Sequence, residues 1–553
     1  MSGDLKQFIE TRQLECREAY QALLNMGAWE GWYKTLSSLY PDNAHFVFEL
    51  LQNAEDANAT KVKFELLDGM LTFRHDGTRD FNKDDVYAIT NVGDSKKGEE
   101  ANKIGKFGVG FKSVFAYTTS PKIYSKSVSF EIKHLFIPSL IDPEPIRGGY
   151  TTAFNFPFDR EDKSRNDAFN EIKALFDELS DNVLLFLSNI QAIEWQIKDS
   201  NSHQITKESN QEIIEINNTQ KGISHWLVFT NQFEFDGKDK PLTLSVAYSY
   251  NKKKKEIEPI RGDVSIFFPA KKETSKLKFH IDAPFSSTVA RDSIVESSEN
   301  DQIMEDIANL CCQSVHKIKD QGLLSMSFFE VIPNRDDELD EFYLPIFDKL
   351  VEEFEWNEHN LIPLENGSFG CLMSAMYSSR AVKDTFNDED LSKLFDYVFE
   401  GFAKNPLINS RSHKFLSELN GLQEYEDLEI FNEFYEIMGT LTNTNFAFER
   451  KWSRENDDYS DLNLILRRRE WLESRANEDL QKLYAFLGDV IDQNAGPINS
   501  SISGKSDNFD NFNHVIKLSD ESFNYSDYNV YFSTSSEALG GQFKYVHPCL
   551  LYT

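Results

Sequence analysis

Cysteine is scarce in this chain, with five among 553 residues. Cys16, Cys311, Cys312, Cys371 and Cys549 show neither the pattern of a disulfide scaffold nor metal or redox spacing, so buried thiols are expected. Basic residues are also short, 58 against 91 acidic ones, giving a net charge of −33. That balance argues against a nucleic-acid-binding surface. The one dense basic cluster, Lys252 to Lys255, is expected at a solvated hairpin tip. No apolar run approaches the roughly 20 residues of a membrane span, and the opening Met-Ser-Gly-Asp-Leu-Lys lacks a signal-type apolar core, so a cytoplasmic protein without membrane contact is expected.

Apolar material is ample: hydrophobic residues make up 40% of the chain and include 45 Phe, enough to pack several cores. Two short runs dominate the reading. Glu49-Leu-Leu-Gln-Asn53-Ala-Glu-Asp56-Ala57 predicts a helix entered at an Asp42 cap, burying Phe46, Val47, Phe48, Leu50, Leu51, Ala54 and Ala57. Glu49, Asn53 and Asp56 fall within about 60° on its wheel, flanked by His45 and Gln52. A narrow polar stripe on a buried helix requires either a polar ligand or an internal hydrogen-bond network, and the stripe alone does not choose between them.

The second run is Ile104-Gly105-Lys-Phe107-Gly108-Val109-Gly110-Phe111-Lys-Ser, followed by a helical pattern. Glycines before a helix start leave backbone N–H groups free for phosphate oxygens. The order G-x-x-G-x-G is not a dinucleotide fingerprint, and Phe111 between the last glycine and Lys112 departs from a P-loop. Between the runs, alternation on both sides of Asp68-Gly69 predicts a hairpin ending at His75-Asp76-Gly77.

Together these runs resemble the nucleotide-binding domain of the GHKL ATPases, the superfamily of the ninety-kilodalton heat-shock chaperones, type II topoisomerases, MutL proteins and histidine kinases. Within it the sacsin-like branch is the nearest in motif order and spacing, over residues 40 to 157. The fold implied is α+β: a Bergerat-type α/β sandwich at 41–200, preceded by a helical extension at 1–40. A mixed transducer-like domain at 205–325, a mainly helical region at 330–495 and a polar mixed segment at 496–553 would follow. The resemblance implies ATP and Mg²⁺ as cofactors. It makes Asn53 the Mg²⁺ ligand, Glu49 the base that orients and deprotonates water, and Asp56 a supporting acid.

In the same way the resemblance gives adenine recognition to Asp76 with Gly77, and His75 remains the alternative because Arg79 stands where a second glycine would be. Thr152, or Thr151 beside it, would share that network. Gly93 and Lys103 would belong to a mobile lid, and Gly105, Phe107, Gly108, Val109, Gly110 and Phe111 to the phosphate cradle. Lys96, Lys97 and Lys106 read as solvated loop lysines.

Strand patterns at 225–230, 242–248 and 264–269 and a helix at 301–319 suit the second domain. There Phe279-His-Ile-Asp282-Ala-Pro284 leads to Arg291-Asp292 and resembles the chaperones' segment whose arginine reaches the γ-phosphate. Arg291 is thus a candidate trans-domain catalytic residue, with an ion pair to Asp292 or Asp282 as the other reading. Further on, helices are expected at 337–354, 388–403, 430–438, 462–477 and 479–492, and Arg467 to Arg469 as one solvated face. The apolar end, Phe543 to Thr553, is expected to be a partner surface or a cut edge.

The function implied is a slow Mg-dependent ATPase whose closure acts on a protein client or partner complex, with a nucleotide-dependent homodimer. The alternative is an ATP-binding sensor or scaffold with little turnover, such as a component of a prokaryotic defence or stress complex. A histidine kinase fits poorly because about 440 residues follow the glycine run. A DNA enzyme lacks its basic channel.

Overall fold

The Asp68-Gly69 turn joins β1 (Lys61–Leu67) to β2 (Met70–His75) antiparallel, with Leu67 opposite Met70. In the computed structural model the described residues are 2–31, 33, 46–91, 110–210, 213–234, 241–270, 272–288, 292–356, 358–394, 400–407, 409–420, 423–425, 430 and 460–493, with two-residue strands at 516, 523, 530 and 544. They fall into two units, Met1–Leu350 and Val351–Thr553.

In the first unit the hairpin is the middle of a 14-stranded mixed sheet. On one side lie β6 (Thr152–Pro157), β3 (Lys122–Ser125), β4 (Ser129–Lys133) and β5 (Ile137–Leu140), in that order. On the other, β7 (Ala192–Ile197) joins β1 in parallel, and β8 (His203–Asn210), β9 (Ile213–Asn218), β10 (Gly222–Phe233) and β11 (Leu242–Asn251) follow antiparallel. β12 (Glu256–Glu258) and β14 (His280–Asp282) both pair with β11, and β13 (Val264–Ser265) runs parallel to β14. The β7–β8 hairpin carries this sheet through residues 200–205 without a break.

β1 alternates along its length. Val62, Phe64 and Leu66 of β1 face a buried layer, while Lys63 and Glu65 face outward and meet Glu194 at 2.8 Å and Arg74 at 2.6 Å. Two helices cover the buried face. α2 (Phe46–Asp56; α1 is Ser2–Asn25) sets Phe46 against Phe156, and α4 (Arg165–Glu178; α3 is Lys83–Thr90) sets Phe176 against Phe64 and Trp195. Each such buried ring contributes on the order of 1.5–3 kcal/mol. α1 lies along the edge strand β5 and buries Leu5, Ile9 and Cys16, which shields an edge that would otherwise pair with another strand.

Several expectations change. The helix expected from 166 to 187 is broken into α4 and α5 (Asn182–Leu185), with the Lys221 ammonium capping the Leu179 carbonyl at 2.9 Å. The run after the glycines is a 3₁₀ turn, Gly110–Ala116, rather than an α-helix. The strand expected over 264–269 stops at Ser265, because Phe267 takes a left-handed φ of 70°. Lys252 to Lys255 form an exposed tip between β11 and β12, as expected. The helix expected at 301–319 is α6 (Ser298–Asp320), capped by Ser297, and its Cys311 and Cys312 are buried thiols.

The second unit holds a short parallel trio, Ala375–Ser378 between Gly401–Phe402 and Gln423–Tyr425. The helix expected over 388–403 ends at Leu394, since Gly401 and Phe402 are drawn into that trio and the Phe402 N–H is taken by Asp388. Arg467 and Arg468, in helix Ser460–Ser474, donate to the terminal carbonyls of Lys393 and Leu394 and so do more than face solvent. Helix Asn477–Gln493 follows as expected, whereas 431–438 and Cys549 lie outside the described residues. Among the described residues no helix is long and apolar enough to cross a membrane.

Candidate nucleotide site

α2 contains neither Gly nor Pro and is buried nearly all round, so packing holds it on several sides. It ends in a Schellman motif. Asn58 is left-handed at φ 56°, its N–H reaches the Glu55 carbonyl, and the Ala59 N–H reaches the Ala54 carbonyl at 2.9 Å. All seven residues expected to be buried on this helix and its exit are buried. The Asp42 cap and His45 lie outside the described residues.

The polar groups of α2 divide between two purposes. Glu55, on the face away from the stripe, accepts the N–H groups of Ser188, Asn189 and Ile190 at 2.8, 2.7 and 3.0 Å, which ties the helix to the approach to β7. A lone acid among apolar neighbours on that face was the signal the sequence offered for it. Glu49 is 6% exposed, Asp56 is half-buried and Asn53 is exposed, so the stripe leads from a buried carboxylate to an accessible amide. Arg79 binds the Asp56 carbonyl at 3.3 Å and pairs with Asp85 at 2.9 Å, completing the helix's C-terminal end.

The two sequence runs meet at Glu49. A Cβ built on Gly110 would lie 2.0 Å from Glu49 Oε2 and 2.6 Å from its Cδ, so only glycine permits this approach. Phe111 is buried behind it. Lys112 is wholly buried and donates to the carbonyls of Ile89 and Leu135, both at 2.6 Å, and burial pulls its pKa down to about 7. It therefore ties the two flanks of segment 92–109 to the β4–β5 turn. Gly93, Lys103, Gly105, Phe107, Gly108, Val109 and the lysines at 96, 97 and 106 lie outside the described residues, as does Arg291.

At the other end of α2 stand His75, Asp76 and Gly77. Both Asp76 oxygens are engaged: Oδ1 accepts from the Thr60 and Lys61 N–H groups at 2.7 and 2.9 Å, and Oδ2 from the Thr60 hydroxyl at 2.6 Å. These bonds hold the carboxyl below its usual range against the opposing effect of partial burial. His75 lies opposite Thr152 and on the same face as Phe73, 3% exposed. Its Nδ1 accepts the Gly77 N–H at 3.1 Å, and burial pulls its pKa down to about 4. Thr151 donates its hydroxyl to the Gly77 carbonyl at 2.6 Å and its N–H to the His75 carbonyl. A Cβ on Gly77 would meet the Ala57 carbonyl and His75 Nδ1, both at 2.8 Å, so this corner also requires glycine.

A third contact had no signal in the local sequence. Phe268, just past the left-handed Phe267, packs 5.1 Å from Phe48 of α2, one residue before Glu49. The Phe267 N–H is held at 3.0 Å by Asp282. Burial raises the Asp282 carboxyl to about 7, while the Phe267 bond pulls it the other way. Unfolded, it would titrate near 3.8. A group raised in this way contributes stability that is whole below the unfolded value and is lost as pH rises through the folded one. Asp282→Asn should therefore flatten the fall in melting temperature between about pH 4 and pH 7; an unchanged slope would remove Asp282 as its source. Asp292 is bonded by Thr288 at 2.8 Å and paired with Lys272.

Comparison with known proteins bears on this same region. Residues 33–139 match the family model described as the Sacsin domain. The chain is 26% identical over 297 residues to Protein NO VEIN of Arabidopsis thaliana, covering 47% of this chain and 11% of that protein. It is 34% identical over 125 residues to Sacsin of Homo sapiens, covering 19% of this chain and 3% of that protein. The chain thus spans a small fraction of either relative's length. A solved structure titled as the N-terminal domain of a DNA repair protein aligns with 48% of this chain and 92% of its own at 12% identity, with a TM-score of 0.30.

Proposed function

With residues 33–139 sacsin-like and carrying both runs, we propose that the first unit binds ATP with Mg²⁺ along α2 and hydrolyses it slowly. The observation that carries this reading is the buried Glu49 carboxylate set directly against Gly110. The residues suit such a ligand: a carboxylate held at a hydrogen-only position, an accessible amide one turn on at Asn53, and a second glycine corner at Gly77.

In this reading Asn53 would hold Mg²⁺, which supplies charge neutralisation of the phosphates. Glu49 orients a water and accepts its proton, and Asp56 supports that face. Gly105, Gly108 and Gly110, with Phe107, Val109 and Phe111, would cradle the phosphates, and Gly93 and Lys103 would close over them. Arg291 would stabilise the charge that develops on the transferred phosphate. Asp76 keeps the start of β1 in place, and His75, with Thr152 opposite, takes the base-facing role. Closure would act on a protein client or partner complex, as a nucleotide-dependent homodimer in the cytoplasm.

Calorimetric titration of the unaltered protein with ATP and Mg²⁺ tests this, beside Gly110→Val. The unaltered chain is expected to bind, and the variant to bind at least tenfold more weakly, since its side chain would push against Glu49 and crowd the phosphate cradle of which Gly110 is part in this reading. Binding of neither ATP nor a non-hydrolysable analogue would end the nucleotide reading. Binding without turnover would favour a sensor or scaffold, and an unchanged mass with the analogue would remove the dimer.

A further inference from the structure

The nucleotide reading leaves open how the base is recognised, and the hydrogen bonds at the end of β2 bear on it. The carboxylate nearest that corner, Asp76, is bonded through both oxygens to Thr60 and Lys61. His75 is 3% exposed and lies beside Ala57, at the end of α2 opposite to Glu49. From Glu49 to Ala57 the chain rises about 12 Å along α2 and its exit, a span suited to an extended nucleoside triphosphate.

The Gly77 N–H donates to His75 Nδ1, so in the neutral ring the proton sits on Nε2. Among the described residues no hydrogen-bond partner is found for that Nε2. Burial keeps the ring neutral at physiological pH. The group left to meet a ligand is therefore an uncharged donor, on a side chain only 3% exposed, and not an acceptor.

Resting on the nucleotide reading above, we propose that this site reads a purine by donation from His75 Nε2, and so requires an acceptor on the six-membered-ring edge. Two purines offer one. Adenine presents N1, and a 6-oxopurine presents O6. An exocyclic 6-amino group, a donor, would face a donor and gain nothing from His75. The adjacent Thr151 gives its hydroxyl proton to the Gly77 carbonyl, so it offers the base no second donor.

The test is calorimetry on the whole chain, with Mg²⁺, using four triphosphates: ATP, purine riboside triphosphate without the amino group, 1-deaza-ATP with C–H for N1, and ITP. If adenine N1 is the acceptor, loss of the amino group changes affinity less than about threefold and 1-deaza-ATP binds about tenfold or more weakly, because a buried donor is left unpaired. If a 6-oxo group is the acceptor, ITP binds at least tenfold more tightly than ATP. His75→Asp replaces the donor with an acceptor and should make affinity depend on the amino group, and the analogue series stands without that variant if it does not fold.

A tenfold loss on removing the amino group from the unaltered chain, with N1 removal tolerated and ITP no tighter, overturns the donor assignment while leaving nucleotide binding intact. Four affinities within threefold also overturn it. Failure of all four to bind overturns the nucleotide reading and this inference together.

Discussion

Glu49→Ala is expected to bind ATP with Mg²⁺ about as tightly as the unaltered chain and to lose roughly 10²–10⁴-fold in single-turnover hydrolysis, the range for removing a general base. Binding should survive because the substitution deletes a carboxylate from a close contact and opens space beside Gly110. The helix should survive because Phe46, Val47, Leu50, Leu51 and Ala54 remain packed. Glu49→Gln keeps the shape and removes the base, so it should hydrolyse as poorly as alanine. Turnover within tenfold of the unaltered rate in both variants would show that another group accepts the proton.

Glu55→Ala should do the opposite. It leaves the N–H groups of Ser188, Asn189 and Ile190 without their acceptor and removes the negative charge that partly offsets the burial of Lys207, whose pKa burial pulls down to about 8. The expected loss is about 3–5 kcal/mol in urea unfolding, as for breaking a buried charged network from one side. Glu55→Gln should cost less because its amide oxygen still accepts. A change under about 1 kcal/mol for alanine would mean that water or a shift of the 188–190 turn replaces the carboxylate. Two acids six residues apart on one helix are thus expected to separate: Glu49→Ala should change the rate and Glu55→Ala the stability.

The α2 helix and its buried positions and the Asp68-Gly69 hairpin were legible because each follows from local periodicity or turn chemistry. The break at 179–181 and the early end of the helix at Leu394 were not, because partners distant in sequence decide them. Lys221 caps one break, and the Ala375 strand draws Gly401 and Phe402 into the other. His75 and Asp76 show the same limit at the site. Sequence spacing brings both to the end of β2, but Thr60, sixteen residues earlier, takes the carboxylate, and strand alternation turns the imidazole to the α2 face.

The sequence by itself determined the polar stripe on α2, the glycines that follow it and the sacsin-like order of both, since these depend on residue type at short range. Tertiary structure decided which acid of α2 meets Gly110 and which anchors the approach to β7, that Phe268 packs on Phe48, and that one sheet continues past residue 200. The physical reason is range. Periodicity and capping act within a few residues, whereas close approach at a glycine and the pairing of buried polar groups are fixed only when distant segments compete for the same space and the same donors.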